Sequence, residues 1–291
     1  MLTGTSSARS LAGLSDIVST SAHLPATSTV GNVLSSPAMI DVTTEGRIAL
    51  ITINRPDARN AVNGEVAAGL EAAIDRLEED DDLWVGILTG AGPVFCAGAD
   101  LKAINAGEAA SLATERGGFA GFVQRERDKP VIAAVNGPAL AGGCELVLAC
   151  DLAVAARDTR FGVPEVKRSL VAAAGALFRL PRKLPVNVAL EMVMTGEPID
   201  AERAHHFGVV NRLTEPGQAV EGARELAEAI CANAPVAVRE SRKVVLATLG
   251  VDEEAGWRLS GRAFAAAMST EDFLEGPLAF IEKREPQWKG R

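Results

Sequence analysis

Two glutamates stand where glutamate is expensive. Glu145 follows Gly142, Gly143 and Cys144 and is followed by the apolar run LVLAC, while Glu165 closes the string FGVPE (161–165). An ionised carboxylate with no partner in an apolar interior costs several kcal/mol, or its pKa rises until it holds a proton near neutral pH. Each acid also has an ordinary explanation. Acids favour the first turn of a helix, and Pro164 before Glu165 is a common first helical residue. The apolar run after Glu145 argues that its helix end is buried. Two such carboxyls facing one cavity could share acid–base work.

Two glycine-rich turns follow strand-like runs, and the second of them ends at Glu145. GAGPVFCAGAD (90–100) follows the strand-like WVGILT, and NGPALAGGCE (136–145) follows VIAAV. The first begins as GxGxxG, but Phe95 stands at the third glycine position and Pro93 lies inside, so a dinucleotide loop is poorly supported. What remains are turns whose amides, from Cys96 to Asp100 and around Gly142, are free to point at a ligand. At a helix start such amides are unsatisfied donors at a positive dipole end and suit an oxyanion. A plain strand-to-helix connection explains the first turn equally well when that turn is taken alone.

Composition narrows the chemistry. The 291 residues are 47% hydrophobic and 23% charged, ordinary for a globular protein. Formal net charge is −9, tyrosine is absent and aromatics are 4%, which disfavours nucleic-acid binding and sugar- or base-stacking platforms. Cys96, Cys144, Cys150 and Cys231 form no CxxC pair, and the three histidines are His23, His205 and His206. Reduced thiols, no metal site and a cytoplasmic location are the expectation. The longest apolar region, from Val131, is interrupted by Asn136, Glu145 and Asp151, so no transmembrane helix or membrane partner is expected.

The elements needed to position these groups alternate. GRIALITIN reads as strand, 63–80 as an amphipathic helix through Val66, Leu70, Ile74 and Leu77, and WVGILTG, VIAAV and LAVAA as buried strands. Four glycines make 102–128 a poor helix, and a mobile segment is expected there. After Leu184 only VVNRL interrupts a series of helices. The fold class is therefore α/β with a helical C-terminal region. Residues 1–38, rich in Ser, Thr and Ala, read as a disordered leader without the basic start or apolar block of a secretory signal. Met39 resembles a natural start.

The strings FCAGADLK (95–102), NGPALAGGCELVLACD (136–151), FGVPE (161–165), LTEP (213–216) and FIEKR (280–284) together resemble the crotonase (enoyl-CoA hydratase/isomerase) family. The resemblance runs from about Met39 to Trp288. It implies a crotonase-like spiral of ββα units over residues 39–205 and a helical trimerisation region over 206–291. The partners it implies are an acyl-CoA thioester and further copies of the chain, as a trimer or a dimer of trimers. Carried over residue by residue, it implies an oxyanion hole from the amides of Ala99 and Gly142, with Glu145 and Glu165 as the catalytic pair. It likewise implies a coenzyme A site at Arg59, Ala61, Ala97, Asp100 and Leu101. Phe264 and Lys283 would reach it from the C-terminal helices, across a subunit boundary. No metal or redox cofactor is implied. Both glutamates being present favours hydration of a 2-trans-enoyl-CoA over double-bond isomerisation, which in this family generally relies on one acid. One departure stands out: many members read PGAGGTQRL where this chain reads VAAAGALFRL (171–180), which adds methyl groups at Ala173 and Ala174 and implies a tighter acyl pocket.

Deleting residues 1–38 should leave both melting temperature and turnover unchanged, because that stretch lacks the apolar periodicity that would offset its ordering entropy. A clear loss of either in the truncated protein would show that the segment docks on the core.

Overall fold

The computed structural model describes residues 39–291, which lie in one compact unit; the leader reading concerns residues outside them. A hairpin of β1 (Ile40–Glu45) and β2 (Ile48–Ile53) opens the chain and leads to α1 (Gly64–Glu79) and β3 (Val85–Gly90). There follow α2 (Leu101–Asn105), the short pair β4 (Ala113–Thr114) and β5 (Gly118–Phe119), β6 (Val131–Val135), β7 (Ala139–Leu140) and α3 (Gly142–Ala149). Then come β8 (Leu152–Ala156), β9 (Arg160–Gly162), a 3-10 turn at Pro164–Arg168, α4 (Ala176–Lys183), α5 (Val186–Thr195), β10 (Ile199–Asp200) and α6 (Ala201–His206). The last elements are β11 (Arg212–Thr214), α7 (Ala219–Cys231), α8 (Pro235–Ala247), α9 (Glu253–Met268) and α10 (Asp272–Glu282). None of these helices is long and apolar enough to cross a membrane.

The main sheet has the order β1-β2-β3-β6-β8-β11, parallel except for the β1–β2 hairpin. Alternate residues enter two different cores. Ala49, Ile51, Leu88, Ala133 and Ala155 pack with the α1 face made by Val66, Leu70, Ile74 and Leu77. Ile48, Val85, Ile87, Ile132 and Val154 pack with Ala223 and Ala227 of α7 and with Trp288. A parallel sheet covered on both faces must read as near-continuous apolar runs, which is why VGIL and VIAAV lack alternation. Helix α1 starts where Asn63 Oδ1 accepts from Val66 N at 3.0 Å. The second cover, α7, and the edge strand β11 come from beyond residue 206, so they complete the sheet from the stretch grouped by sequence with the C-terminal helices.

A second, smaller layer runs in step with the first. After β2 the chain crosses to Val62, which bridges Ala99; after β3 it crosses to Cys96, which bridges Ala139 of β7; β7 pairs with β9 and β9 with β10. The strands β2, β3, β6 and β8 are therefore each followed by a short segment in the other layer and then by a helix or helical turn. This is the ββα spiral, and it aligns the ends of four consecutive turns along one edge. Segment 102–128, expected to be mobile, is pinned to α1: Arg116 bonds Glu71 and Asp75 at 2.8 and 2.5 Å, and Arg125 bonds Asp75 at 2.7 Å. The glycines there serve tight turns rather than freedom.

The C-terminal helices are different in kind. Helix α8 packs on α9, yet no residue of α9 is buried, and of α10 only Asp272 and Ala279 are. Asp272 ties down the tail by accepting from Lys289 N and Gly290 N at 2.7 and 2.9 Å.

The loop before α1 is organised by a residue with no chemistry of its own. Asn60 is fully buried; its Oδ1 accepts from Arg55 N at 2.9 Å, and its Nδ2 donates to Ala91 O and Val94 O at 2.9 and 2.6 Å. Asn60→Ala leaves one buried amide and two carbonyls unpaired. It should cost about 2–4 kcal/mol, read as a lower urea midpoint at unchanged slope. A midpoint within error of the parent would mean that packing alone holds the loop.

Candidate active site

The spiral gathers the candidate residues around one cavity of about 870 Å³. Arg59 and Ala61 come from the loop before α1, Ala97, Ala99, Asp100 and Leu101 from the turn into α2, Gly142 and Glu145 from the start of α3, and Glu165 from the 3-10 turn. All nine line it. Phe264 and Lys283 do not. Phe264 lies on the exposed face of α9, edge-on to Phe273 at 6.3 Å, and Lys283 caps α10. Within one chain these two are remote from the cavity, because α9 and α10 do not pack over it.

The amides of Ala99 and Gly142 are open. Val62 takes both neighbours of the Ala99 amide: its N–H donates to Gly98 O, and its carbonyl accepts from Asp100 N, both at 2.8 Å. Gly142 is the first residue of α3, where no preceding turn supplies an acceptor. Neither amide is a donor in the hydrogen-bond network of the described residues. The two turns touch: a methyl carbon on Gly98 would lie 2.9 Å from Gly142 N, and one on Gly142 would lie 2.5 Å from the Phe119 ring. Ala141, just before α3, has φ 51 and ψ −129, a conformation that strains a non-glycine residue by about 1–3 kcal/mol. It is held there by its N–H donating to Gly162 O at 2.8 Å, while its carbonyl accepts from Cys144 N and Glu145 N. This strained peptide is what aims the Gly142 amide.

Glu145 is 3% exposed, and its Oε1 accepts from Ala176 N at 3.1 Å. Burial pushes its pKa up to about 7; the Ala176 amide works against the rise, the Glu165 charge adds to it, and the Ala174 amide and the Arg179 cation restrain it. Glu165 is half-buried, and burial raises its pKa as well, opposed by its own backbone amide and by Arg168. Its Oε2 is buried without a partner among the described residues. The pair thus offers two carboxyls in one cavity, both biased toward holding a proton, next to two amides that have none of their own acceptors. That combination can stabilise a negative oxygen while moving a proton.

A family model described as Enoyl-CoA hydratase/isomerase matches residues 43–291. The chain belongs to the enoyl-CoA hydratase/isomerase family. It is 40% identical to a protein named carnitinyl-CoA dehydratase from Proteus mirabilis and 43% identical to one of that name from Salmonella heidelberg, each alignment covering 87% of this chain and 98% of the relative. Among solved structures, an enoyl-CoA hydratase from Mycobacterium tuberculosis H37Rv superposes with a TM-score of 0.84 at 47% identity. That alignment covers 87% of this chain and all of the other. A carnitinyl-CoA hydratase from Mycobacterium avium superposes with a TM-score of 0.69, also at 47% identity, over 88% of this chain and all of the other.

On this family's scaffold the cation–carboxylate pair Arg55–Asp100 (3.0 Å) joins two walls of the cavity. Burial alone would raise the Asp100 pKa, but the Lys102 amide and the Arg55 guanidinium outweigh it and hold the group low. Arg55 also donates to Ala61 O at 2.5 Å. Arg55, Phe119, Ala141 and Asn60 all shape the site and were absent from the sequence reading. Their partners lie up to 45 residues away, as in Arg55 with Asp100, and no local pattern reports such a pairing.

The raised acid has a stability signature. With its folded pKa above the ordinary 4.5, Glu145 contributes fully below about pH 4.5, and that contribution is lost as pH rises towards 7. Glu145→Gln keeps the acceptor for Ala176 N and cannot ionise. It should therefore stabilise the protein at pH 8, by up to about 3 kcal/mol. The gain should fade as pH drops to about 4.5. Urea unfolding of both proteins at the two pH values measures it; a variant no more stable than the parent at pH 8 would contradict the desolvated carboxyl.

Proposed function

We infer that this chain is an enoyl-CoA hydratase that adds water across a 2-trans-enoyl-CoA to give a 3-hydroxyacyl-CoA. The observation that carries this reading is the pairing of two desolvated glutamates with two open amides in one cavity. Water bonds to C3 as Glu145 takes its proton, and the electron pair of the double bond moves through C2 to the thioester oxygen. That oxygen's developing charge is met by the amides of Ala99 and Gly142, a contribution typically worth 10²–10³ in rate per donor. Glu165 then gives its proton to C2. One proton is carried by the pair throughout, on Glu165 before hydration and on Glu145 after it. By microscopic reversibility the same site runs dehydration, so the hydratase and dehydratase names of the relatives describe one kind of chemistry. The reaction as written calls for no metal or redox cofactor, and coenzyme A enters as part of the substrate.

The coenzyme A part is assigned to Arg59, Ala61, Ala97, Asp100 and Leu101, and the acyl part to the wall of Leu170, Val171, Ala173 and Ala174. Further copies of the chain are the proposed partners. Trp257, Phe280 and Ile281 are 71–85% exposed on α9 and α10, a large apolar surface for a free monomer. In an assembly, Phe264 and Lys283 from those helices would approach a neighbouring chain's substrate.

A panel of 2-enoyl-CoA thioesters from C4 to C16, with carnitinyl-CoA included for the dehydration direction, tests the reading through absorbance of the conjugated double bond. Glu145→Gln and Glu165→Gln should each lower kcat by about 10²–10⁴, and the double variant should lose less than the product of the single losses. A folded Glu145→Gln protein hydrating at the parent rate would sink the mechanism. Movement of the double bond without uptake of water would favour the isomerase alternative.

A further inference from the structure

Arg179 of α4 lies behind Glu145 and outside the lining of the cavity. Its Nη1 donates to Ala174 O at 3.2 Å and its Nη2 to Val123 O at 2.6 Å. One guanidinium therefore joins the turn that starts α4 to the segment leading into β6. That same turn, Ala174–Gly175–Ala176, supplies the amides that meet the Glu145 carboxyl. Gly175 has φ +118, and a methyl carbon built on it would run into the Arg179 guanidinium. The turn and the arginine thus fit one another, with the guanidinium centre 5.2 Å from the Phe178 ring centroid.

We propose that Arg179 is the positioning residue for Glu145, holding the Ala174–Ala176 turn so that its two amides fix the orientation of the carboxyl. The proposal rests on the hydratase reading for its consequence in turnover. The geometry has an electrostatic counterpart: Arg179 is the cation that restrains the rise in the Glu145 pKa. The other titratable groups around the two are Glu165 from the 3-10 turn, Arg127 before β6, Arg182 and Lys183 on α4, and Cys150 at the end of α3. Burial, Arg127 and Arg182 oppose the charge on Arg179, whereas Glu145 and Cys150 favour it.

A double-mutant cycle of Arg179→Met with Glu145→Gln, read by melting temperature at pH 8 and pH 4.5, tests the pairing without reference to activity. At pH 8, Glu145→Gln should raise the melting temperature more in the Arg179→Met background than in the parent, because an ionised Glu145 there has lost its cation. At pH 4.5, where Glu145 is protonated, the two gains should converge. In turnover, Arg179→Met should lower kcat by about 10–10²-fold with KM changed less than about twofold, and should lower the residual kcat of Glu145→Gln far less. Equal gains in both backgrounds at both pH values would reduce Arg179 to a structural residue and overturn the proposal. If the methionine variant does not fold, Arg179→Gln keeps one donor for the turn, and the same outcomes decide. A parent protein that hydrates no thioester would defeat the functional reading alone, since the melting cycle still reports on the pair.

Discussion

A carboxyl can be kept in an apolar interior only where fixed polar groups meet it, and Glu145 sets the terms for the structure around it. Its helix is apolar on every side, with Gly142 through Leu148 all buried, so the carboxyl is largely desolvated. The support comes instead from the backbone amides of the Ala174–Ala176 turn and from the cation beyond that turn. Those contacts leave the acid with a pKa near neutrality. An acid matched to working pH can both take and return a proton, which an exposed glutamate does poorly.

The second constraint is the close approach of two turns. The amides of Ala99 and Gly142 become neighbours because the small layer advances in step with the main sheet, so that the turn after β3 meets the turn after β7. The contact leaves no space for side chains at Gly98 or Gly142. It also requires Ala141 to hold a strained conformation, maintained by its bond to Gly162 of β9. The strain persists because the peptide is tied on both sides, the Ala141 N–H to Gly162 O and the Ala141 carbonyl to the first turn of α3. The two open amides are thus main chain whose direction is set by the packing of these turns.

The outer parts of the molecule follow a different logic. Helices α8 to α10 bury little against their own chain and display aromatic and aliphatic side chains to the outside. This surface contrasts with α7, whose Ala223 and Ala227 lie flush on the sheet. Helices of both kinds look alike in sequence, since each has apolar residues at helical spacing. What separates them is where the apolar side chains go: Ala223 and Ala227 of α7 are buried on the sheet, whereas Trp257 of α9 and Phe280 of α10 are exposed on this chain.

The chemistry was legible in the chain because its rules are local. An acid inside an apolar run, an acid after proline, and glycine-punctuated turns after strands are each visible within about ten residues. The family's strings tie nine of the named positions to one cavity. Helix α1 was readable from its apolar spacing through Val66, Leu70, Ile74 and Leu77, and strands β3, β6 and β8 because burial on both faces of a parallel sheet forces uninterrupted apolar runs. Other features had no local signal. The strands β7, β9 and β10 are two or three residues long, too short for any period to register. Hairpin strand β1 has no buried residue, so its sequence carries little strand signal. Asn60, Arg55 and Arg179 matter through partners 31–56 residues away, distances that only chain folding closes. Sequence by itself fixed which groups could carry a proton or hold an oxyanion, since those properties belong to residue types. Tertiary structure decided the pKa of Glu145, the aim of the Gly142 amide and the remoteness of Phe264 and Lys283 from the cavity, because desolvation, strain and contact depend on what lies within a few ångströms in space.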